Sequence, residues 1–218
     1  MLAKNWTAKF QTGDIKISSP KLISWRSGYL NDAGLLNRIS ELMWFDLYVL
    51  DKKFGVSPNE ILKSVQELES GETAKGVKAA AEFRNPPLRG LWHKHYFSAH
   101  FILQNITLGH GKNGPETLID EVFDAKNSPI VTEQMAKELA HRVVHDPLNK
   151  RNADGKLTGE WIVFTKQGGM NHYLAVNTHA AGDQFIYDRI TDHCAVDFPQ
   201  LPAWLNDLKS QWFSRTHP

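Results

Sequence analysis

Glu160-Trp161-Ile162-Val163-Phe164-Thr165-Lys166-Gln167-Gly168-Gly169-Met170-Asn171-His172-Tyr173-Leu174-Ala175-Val176-Asn177 is the stretch that separates a mixed fold from an all-helical one. Two apolar runs flank a Gly-Gly pair, the pattern of a two-residue hairpin with a primed turn. A turn at Gly168-Gly169 pairs Thr165 with His172, Val163 with Leu174 and Trp161 with Val176 on one face. Phe164 with Tyr173 and Ile162 with Ala175 fall on the other. Both faces are apolar, so the hairpin is expected inside a sheet covered on both sides.

Upstream of the hairpin the chain reads as mostly helical. Leu35, Leu36, Ile39, Leu42, Met43, Leu47 and Leu50 recur at three- and four-residue spacing, which predicts one long helix from Asn31 to Phe54. Asn31 or Asp32 caps it and Gly55 stops it. Ser57-Pro58-Asn59-Glu60 opens a second helix through a capping box, with Gly71 as its end. Glu72 to Phe83 predicts a weaker third helix, and Asn85-Pro86-Pro87 breaks the pattern. Leu91 to Ile106 has helical length and no internal breaker. Gly109 to Pro115 is a loop, and Glu116 to Ala125 a short helix. Thr132 to His145 is a helix capped by Thr132, with Met135, Leu139 and Val143 facing inward. Asp146 to Gly159 is a polar loop.

The termini add smaller elements. Asp14 to Ser18 alternates like a short strand, and Leu22 to Trp25 is a candidate second one. After the hairpin come a helix from Gly182 to Cys194, with Phe185, Ile186 and Ile190 on its buried side, and a last helix from Trp204 to Trp212. The fold class is therefore α+β. The N-terminal two-thirds are mostly helical, an antiparallel β-hairpin lies within a small sheet near the C-terminus, and helices close the chain. No repeat or domain-scale linker interrupts residues 1–218, which read as a single α+β domain.

Composition narrows the function. The net charge of +1 gives no global drive toward nucleic acid, although a local basic patch is still open. Cys194 is the only cysteine, which excludes an internal disulfide or a thiolate zinc cluster and fits a reducing compartment. No run approaches the length of a membrane span, and no secretory signal is evident. The expectation is a cytoplasmic protein, bacterial in type and not bound to membrane.

The strongest chemical signal is the stretch from Arg89 to Ile106. It holds His93, His95 and His100, three of the chain's ten histidines, among Trp92, Tyr96, Phe97 and Phe101. Imidazoles titrate near neutral pH and suit general acid–base work. Arg89 suits a phosphate and the charge that develops on it. That is the equipment of metal-independent RNA cleavage. On a helix His93 and His95 diverge by about 200°, and they converge only if the segment starts extended. His172, at the end of the hairpin's paired face, is a further acid–base candidate. Lys94, Lys166 and His179 are candidate substrate contacts. The competing reading makes these histidines ordinary packed or locally hydrogen-bonded residues. For His172, alone on an apolar face, that is the commoner case.

The spacing of Arg89 and His95, with five residues between them, is similar to the Arg-then-His signature of the HEPN ribonucleases. The resemblance covers two residues and implies a catalytic pair acting on RNA. Gly90 and the hairpin depart from that all-helical family. Several bacterial toxin ribonucleases do join helices to an antiparallel sheet, an analogy at the level of fold.

Two alternatives stand beside the ribonuclease. A metal could be held by His93 and His95 with His100 or His110, and His141 with His145 has an i, i+4 zinc-ligand spacing. That pair lacks the Glu of the zincin motif, and histidines in a last helical turn also favour the helix dipole. We expect no metal and no other cofactor. The third reading is a non-catalytic protein that engages a protein partner through a Trp-rich surface, since seven Trp exceed what a core of this size needs. No nucleophile elbow, P-loop or dinucleotide fingerprint is present. The acids around Cys194 argue against a reactive thiol.

Overall fold

The structure is a computed structural model. It describes residues 4–71, 79–96, 102–112, 114–123, 132–153, 160–177 and 181–216, without the side chains of 102–105, 151–153 and 209–216. The fold is α+β. Residues gather into two compact units, Met1–Phe97 with Gly159–Pro218, and Ser98–Thr158. Among the described residues no helix is long and apolar enough to cross a membrane.

The first unit is built on a four-stranded antiparallel sheet of order β3-β4-β5-β6. Its strands are β3 (Ala81–Glu82), β4 (Trp92–Tyr96), β5 (Glu160–Gln167) and β6 (Met170–Asn177). The hairpin turn falls on Gly168 (φ 57°) and Gly169 (φ 77°), as a primed turn requires. Thr165 pairs with His172 and Phe164 with Tyr173, as expected. Beyond them the register slips. Val163 pairs with Ala175, Ile162 with Val176 and Trp161 with Asn177, so Leu174 is an extra residue in a β-bulge. Leu174 is held by bonds from outside the sheet. Its carbonyl accepts from the Ser40 hydroxyl (2.6 Å) and from the Cys194 thiol (3.4 Å).

β4 corrects the helix expected over Leu91–Ile106. Residues 92–96 are extended, 97–101 lie outside the described residues, and Ile102–His110 are helical. Paired to β5, the segment places Trp92, Lys94 and Tyr96 on one face and His93 and His95 on the other. Within the helix expected over Glu72–Phe83, Ala81–Glu82 form β3 and residues 72–78 lie outside the described residues.

Helices cover both faces. A short ribbon comes first, β1 (Asn5–Ala8) against β2 (Ile15–Ser18), which buries Trp6 and Ile17. The strand expected at Leu22–Trp25 is instead part of α1 (Ser19–Arg26). Pro20 sits in its first turn, where a missing N–H costs nothing. The long helix expected from Asn31 is two helices, α2 (Ala33–Leu36), capped by Asp32, and α3 (Glu41–Phe54). The break between them is tertiary in origin. The Tyr173 N–H donates to the Arg38 carbonyl (2.7 Å), and the Ser40 N–H donates to the Tyr173 carbonyl (2.9 Å). The linker thus takes β6 as its hydrogen-bond partner.

α4 (Pro58–Ser70) starts and stops where expected, with Gly71 at φ 72°. Ser57 occupies the cap position, but its side chain makes no cap bond, so the expected box does not close. α4 lies over the face that carries Lys94 and Tyr96. Tyr173 on that face donates its hydroxyl to Glu69 (2.6 Å). α8 (Asp183–His193) is preceded by Gly182 as cap. It buries Ile186 and Ile190 but leaves Phe185 54% exposed, contrary to expectation. α9 (Leu201–Thr216) starts earlier than expected and takes Pro202 into its first turn.

The second unit is helical, with α5 (Ile102–His110), α6 (Gly114–Val122) and α7 (Glu133–Ala153). The Thr132 hydroxyl accepts from Met135 N–H (3.2 Å), the expected cap. α7 does not stop near His145. It runs through Pro147, so part of the expected polar loop is helical. Pro147 has no N–H for the carbonyl of Val143, four residues back. The His110 ring supplies a substitute, Nε2 to Val143 O at 2.7 Å. Gly109 lets the two helices meet, since a Cβ there would sit 2.4 Å from the Cβ of Pro147.

Candidate functional site

The alternation of β4 brings His93 and His95 together, with ring centroids 5.4 Å apart and planes at 80°. His93 stands opposite Val163, and His95 opposite Trp161. Trp161 is 5.4 Å from the His93 ring and 6.3 Å from His95, and Phe83 is 4.5 Å from His93. The result is a pair of half-buried imidazoles walled by two aromatic rings.

Phe83 is held there by the turn that follows it. Its N–H donates to Leu91 O (2.8 Å), and Gly90 N–H donates to Phe83 O (3.2 Å). Gly90 has φ 87°, and a Cβ on it would lie 2.8 Å from Leu208 Cβ, so both backbone and space demand glycine. Arg89 belongs to this turn and donates from Nε to the Arg84 carbonyl (2.8 Å).

The remaining sequence candidates lie elsewhere. His172 pairs with Thr165 on β6, two strands from β4, which is roughly 10 Å across a sheet. Its ring packs against Trp204 (4.9 Å) and Phe198 (5.3 Å), and burial holds its pKa below the ordinary imidazole value. The fold therefore packs a half-buried His172 against Phe198 and Trp204 and does not bring it to the His93–His95 pair. Lys94 is on the opposite face, 2% exposed, and burial lowers its pKa against the pull of Glu67. Lys166 is exposed, with Nζ 3.5 Å above the Trp92 ring. Trp92 points away from the histidines too. His100 and His179 lie outside the described residues.

His141 and His145 stack on α7 at 4.2 Å, both exposed. Among the described residues, no group of three or more His, Cys, Asp or Glu side chains is placed to hold a metal ion. Trp6 and Trp44 are buried, while Trp25, Trp92, Trp161 and Trp204 are half-buried. No exposed Trp patch forms among the described residues.

A second cluster in the first unit escaped the sequence reading. Asp46, in the buried half of α3, accepts from the Val176 N–H (3.0 Å) and from the Arg189 guanidinium. Arg189 also donates to Asn177 Oδ1 (3.0 Å). Burial raises the Asp46 pKa, and the Arg189 charge opposes that shift. Beside this network is a cavity of about 130 Å³ lined by Asp46, Tyr96, Glu160 and Asn177, with Val49 and Leu50 among the apolar walls. The Tyr96 hydroxyl, Glu160 Oε2 and Asn177 Nδ2 are buried and have no hydrogen-bond partner among the described residues. Each such group costs about 1–3 kcal/mol when left unsatisfied. Burial pushes the Glu160 carboxyl up to about 7 and holds the Tyr96 phenol far above its usual range, as the neutral form. The available signal was a single acid, Asp46 or Glu160, set in an otherwise apolar run.

No family model, curated protein or solved structure matches the chain.

Proposed function

We propose that the His93–His95 face of the sheet is an acid–base centre that cleaves RNA without a metal. The observation that carries the reading is the 5.4 Å approach of the two imidazoles beside Phe83 and Trp161. One imidazole removes the proton from a ribose 2′-hydroxyl, and the 2′-oxygen attacks the adjacent phosphorus. The other gives its proton to the 5′-oxygen as the P–O5′ bond breaks. The products are a 2′,3′-cyclic phosphate and a 5′-hydroxyl, and the two histidines exchange roles when water opens the ring. Aromatic faces hold unstacked bases, which single-stranded RNA supplies. Arg89 is assigned to the phosphate charge from its place in the turn before β4. His95 stands on a strand, so this reading rests on the pair itself and not on the helical Arg-then-His arrangement. His172, Lys94 and Lys166 take no part in it.

The test is incubation of labelled single-stranded RNA with the protein in EDTA from pH 5 to 9. Activity is expected to follow a bell in pH, and His93→Ala or His95→Ala to lose on the order of 10²–10⁴-fold. Arg89→Lys is expected to be poor, because an ammonium cannot form the bidentate fork. His141→Ala and His172→Asn are expected to keep activity. Equal inertness of wild type and His95→Ala on RNA removes the ribonuclease reading.

A further inference from the structure

We propose that His141 and His145, on the exposed face of α7, chelate an imidazole-seeking divalent ion such as Zn²⁺ or Cu²⁺. Read from sequence, the pair has a simpler role, because histidines in a last helical turn favour the dipole. The structure removes that role. α7 continues to Ala153, so His145 stands about two turns short of its end and His141 about three. The dipole acts on side chains only within the last turn. The pair also stacks, with ring centroids 4.2 Å apart and planes at 29°, and both residues are exposed.

The geometry suits one ion. Two nitrogens bound at about 2.1 Å to a tetrahedral ion stand about 3.4 Å from each other. Two exposed rings already in contact reach that separation by small side-chain rotations. The helix beneath them is pinned from elsewhere. Arg142 reaches Glu121 on α6 (2.7 Å) and Asp146 (3.0 Å), and the His110 ring bonds the Val143 carbonyl (2.7 Å). The turn from His141 to His145 is thus ordered before an ion arrives, which lowers the cost of binding. The donor set then selects the ion. Neutral imidazole suits Zn²⁺, Ni²⁺ and Cu²⁺, with Cu²⁺ held tightest, whereas Mg²⁺ and Ca²⁺ need oxygen. Among the described residues no third His, Cys, Asp or Glu joins the pair, so water completes the coordination and the site is an open one. The pair is separate from His93 and His95, and the RNA assay runs in EDTA, so the two proposals stand or fall independently.

The experiment is a titration of the full chain, ¹⁵N-labelled in its histidine rings, with zinc chloride at neutral pH, read by the ring nitrogens in NMR. The His141 and His145 signals are expected to shift together and saturate, and magnesium chloride at the same concentrations to leave them in place. His141→Ala and His145→Ala change exposed positions and are expected to keep a native spectrum. In each variant the surviving ring is expected to bind zinc at least about tenfold more weakly, because a lone imidazole cannot chelate. The absence of a saturable shift at the two rings in excess zinc overturns the proposal. So does an equal response to magnesium, or a surviving ring that binds zinc as tightly as the pair.

Discussion

His110 donates its ring N–H to the carbonyl that Pro147 leaves unserved, that of Val143, at 2.7 Å. A residue read from sequence as a possible ligand thus repairs a helix. His110→Ala is expected to destabilise the second unit by about 1–3 kcal/mol, because a helical carbonyl loses its partner. In a Pro147→Ala background the cost should shrink by at least about 1 kcal/mol, since an alanine at that position can donate its own N–H to the Val143 carbonyl. Hydrogen exchange along α7 in the four proteins reads this cycle. Equal costs in both backgrounds would contradict the repair.

Ser40 serves two chains of bonds at once. Its hydroxyl donates to the bulged Leu174 carbonyl (2.6 Å) and accepts from Met43 N–H (2.9 Å) at the start of α3. Ser40→Ala removes a cap worth about 1 kcal/mol and leaves the buried Leu174 carbonyl only the weak Cys194 thiol donor, a further cost of about 1 kcal/mol, so a loss of about 2 kcal/mol is expected. Ser57→Ala, at a cap position with no side-chain bond, should change stability by less than about 0.5 kcal/mol. Urea midpoints decide between them.

Gly168→Val should cost about 1–2 kcal/mol, because a β-branched residue is forced to φ near 57°. Apart from its two chain neighbours, no atom of the described residues lies within 4 Å of the Cβ it would gain, so the penalty is conformational and not steric. Gly168→Asn should cost clearly less, as Asn tolerates that region. Equal midpoints for the two variants would argue against a primed turn.

Glu160 makes stability depend on pH in a direction opposite to most carboxylates. Its folded pKa, about 7, lies above the ordinary glutamate value of 4.5, so between those limits the folded state binds more protons. Stability from this group is complete below about pH 4.5 and lost as pH rises through about 7. Asp46 and Tyr96 line the same cavity, with Arg189 bound to Asp46, and all remain in the variant Glu160→Gln. The variant should therefore gain stability relative to wild type as pH rises from 4.5 to 8. A difference in urea midpoint that stays flat over that range would show that Glu160 is not desolvated.

The hairpin was legible because alternation and Gly168-Gly169 are local signals, and they located both strands and the turn. The bulge at Leu174 was not, because its cause is Ser40, 134 residues away in sequence. The break in the long helix has the same origin. Ser40 before Glu41 is a weak local cap signal inside an otherwise continuous apolar period, and the hydrogen bonds that fix the break come from Tyr173. β4 was hidden by Lys94, a charged residue on the buried face, which spoils the apolar alternation of Trp92 and Tyr96. Reading β4 as a strand is what brings His93 and His95 to one side, so the candidate residues were visible while their convergence was not. The Asp46–Arg189–Asn177 network joins three elements and leaves no local pattern.

Tyr96 and Glu160 are register partners, the last pair of β4 and β5. The chain leaves the sheet at Tyr96 and rejoins it at Glu160, so the connection between them closes a loop across about 5 Å. Closing such a loop costs entropy only with the logarithm of its length, about 0.6 kcal/mol for each doubling. Growth or loss of sequence between these two residues thus changes the cost of closing the β4–β5 pair very little. The connection is free to vary in length, while a single residue inserted in β5 would turn its side chains to the wrong face.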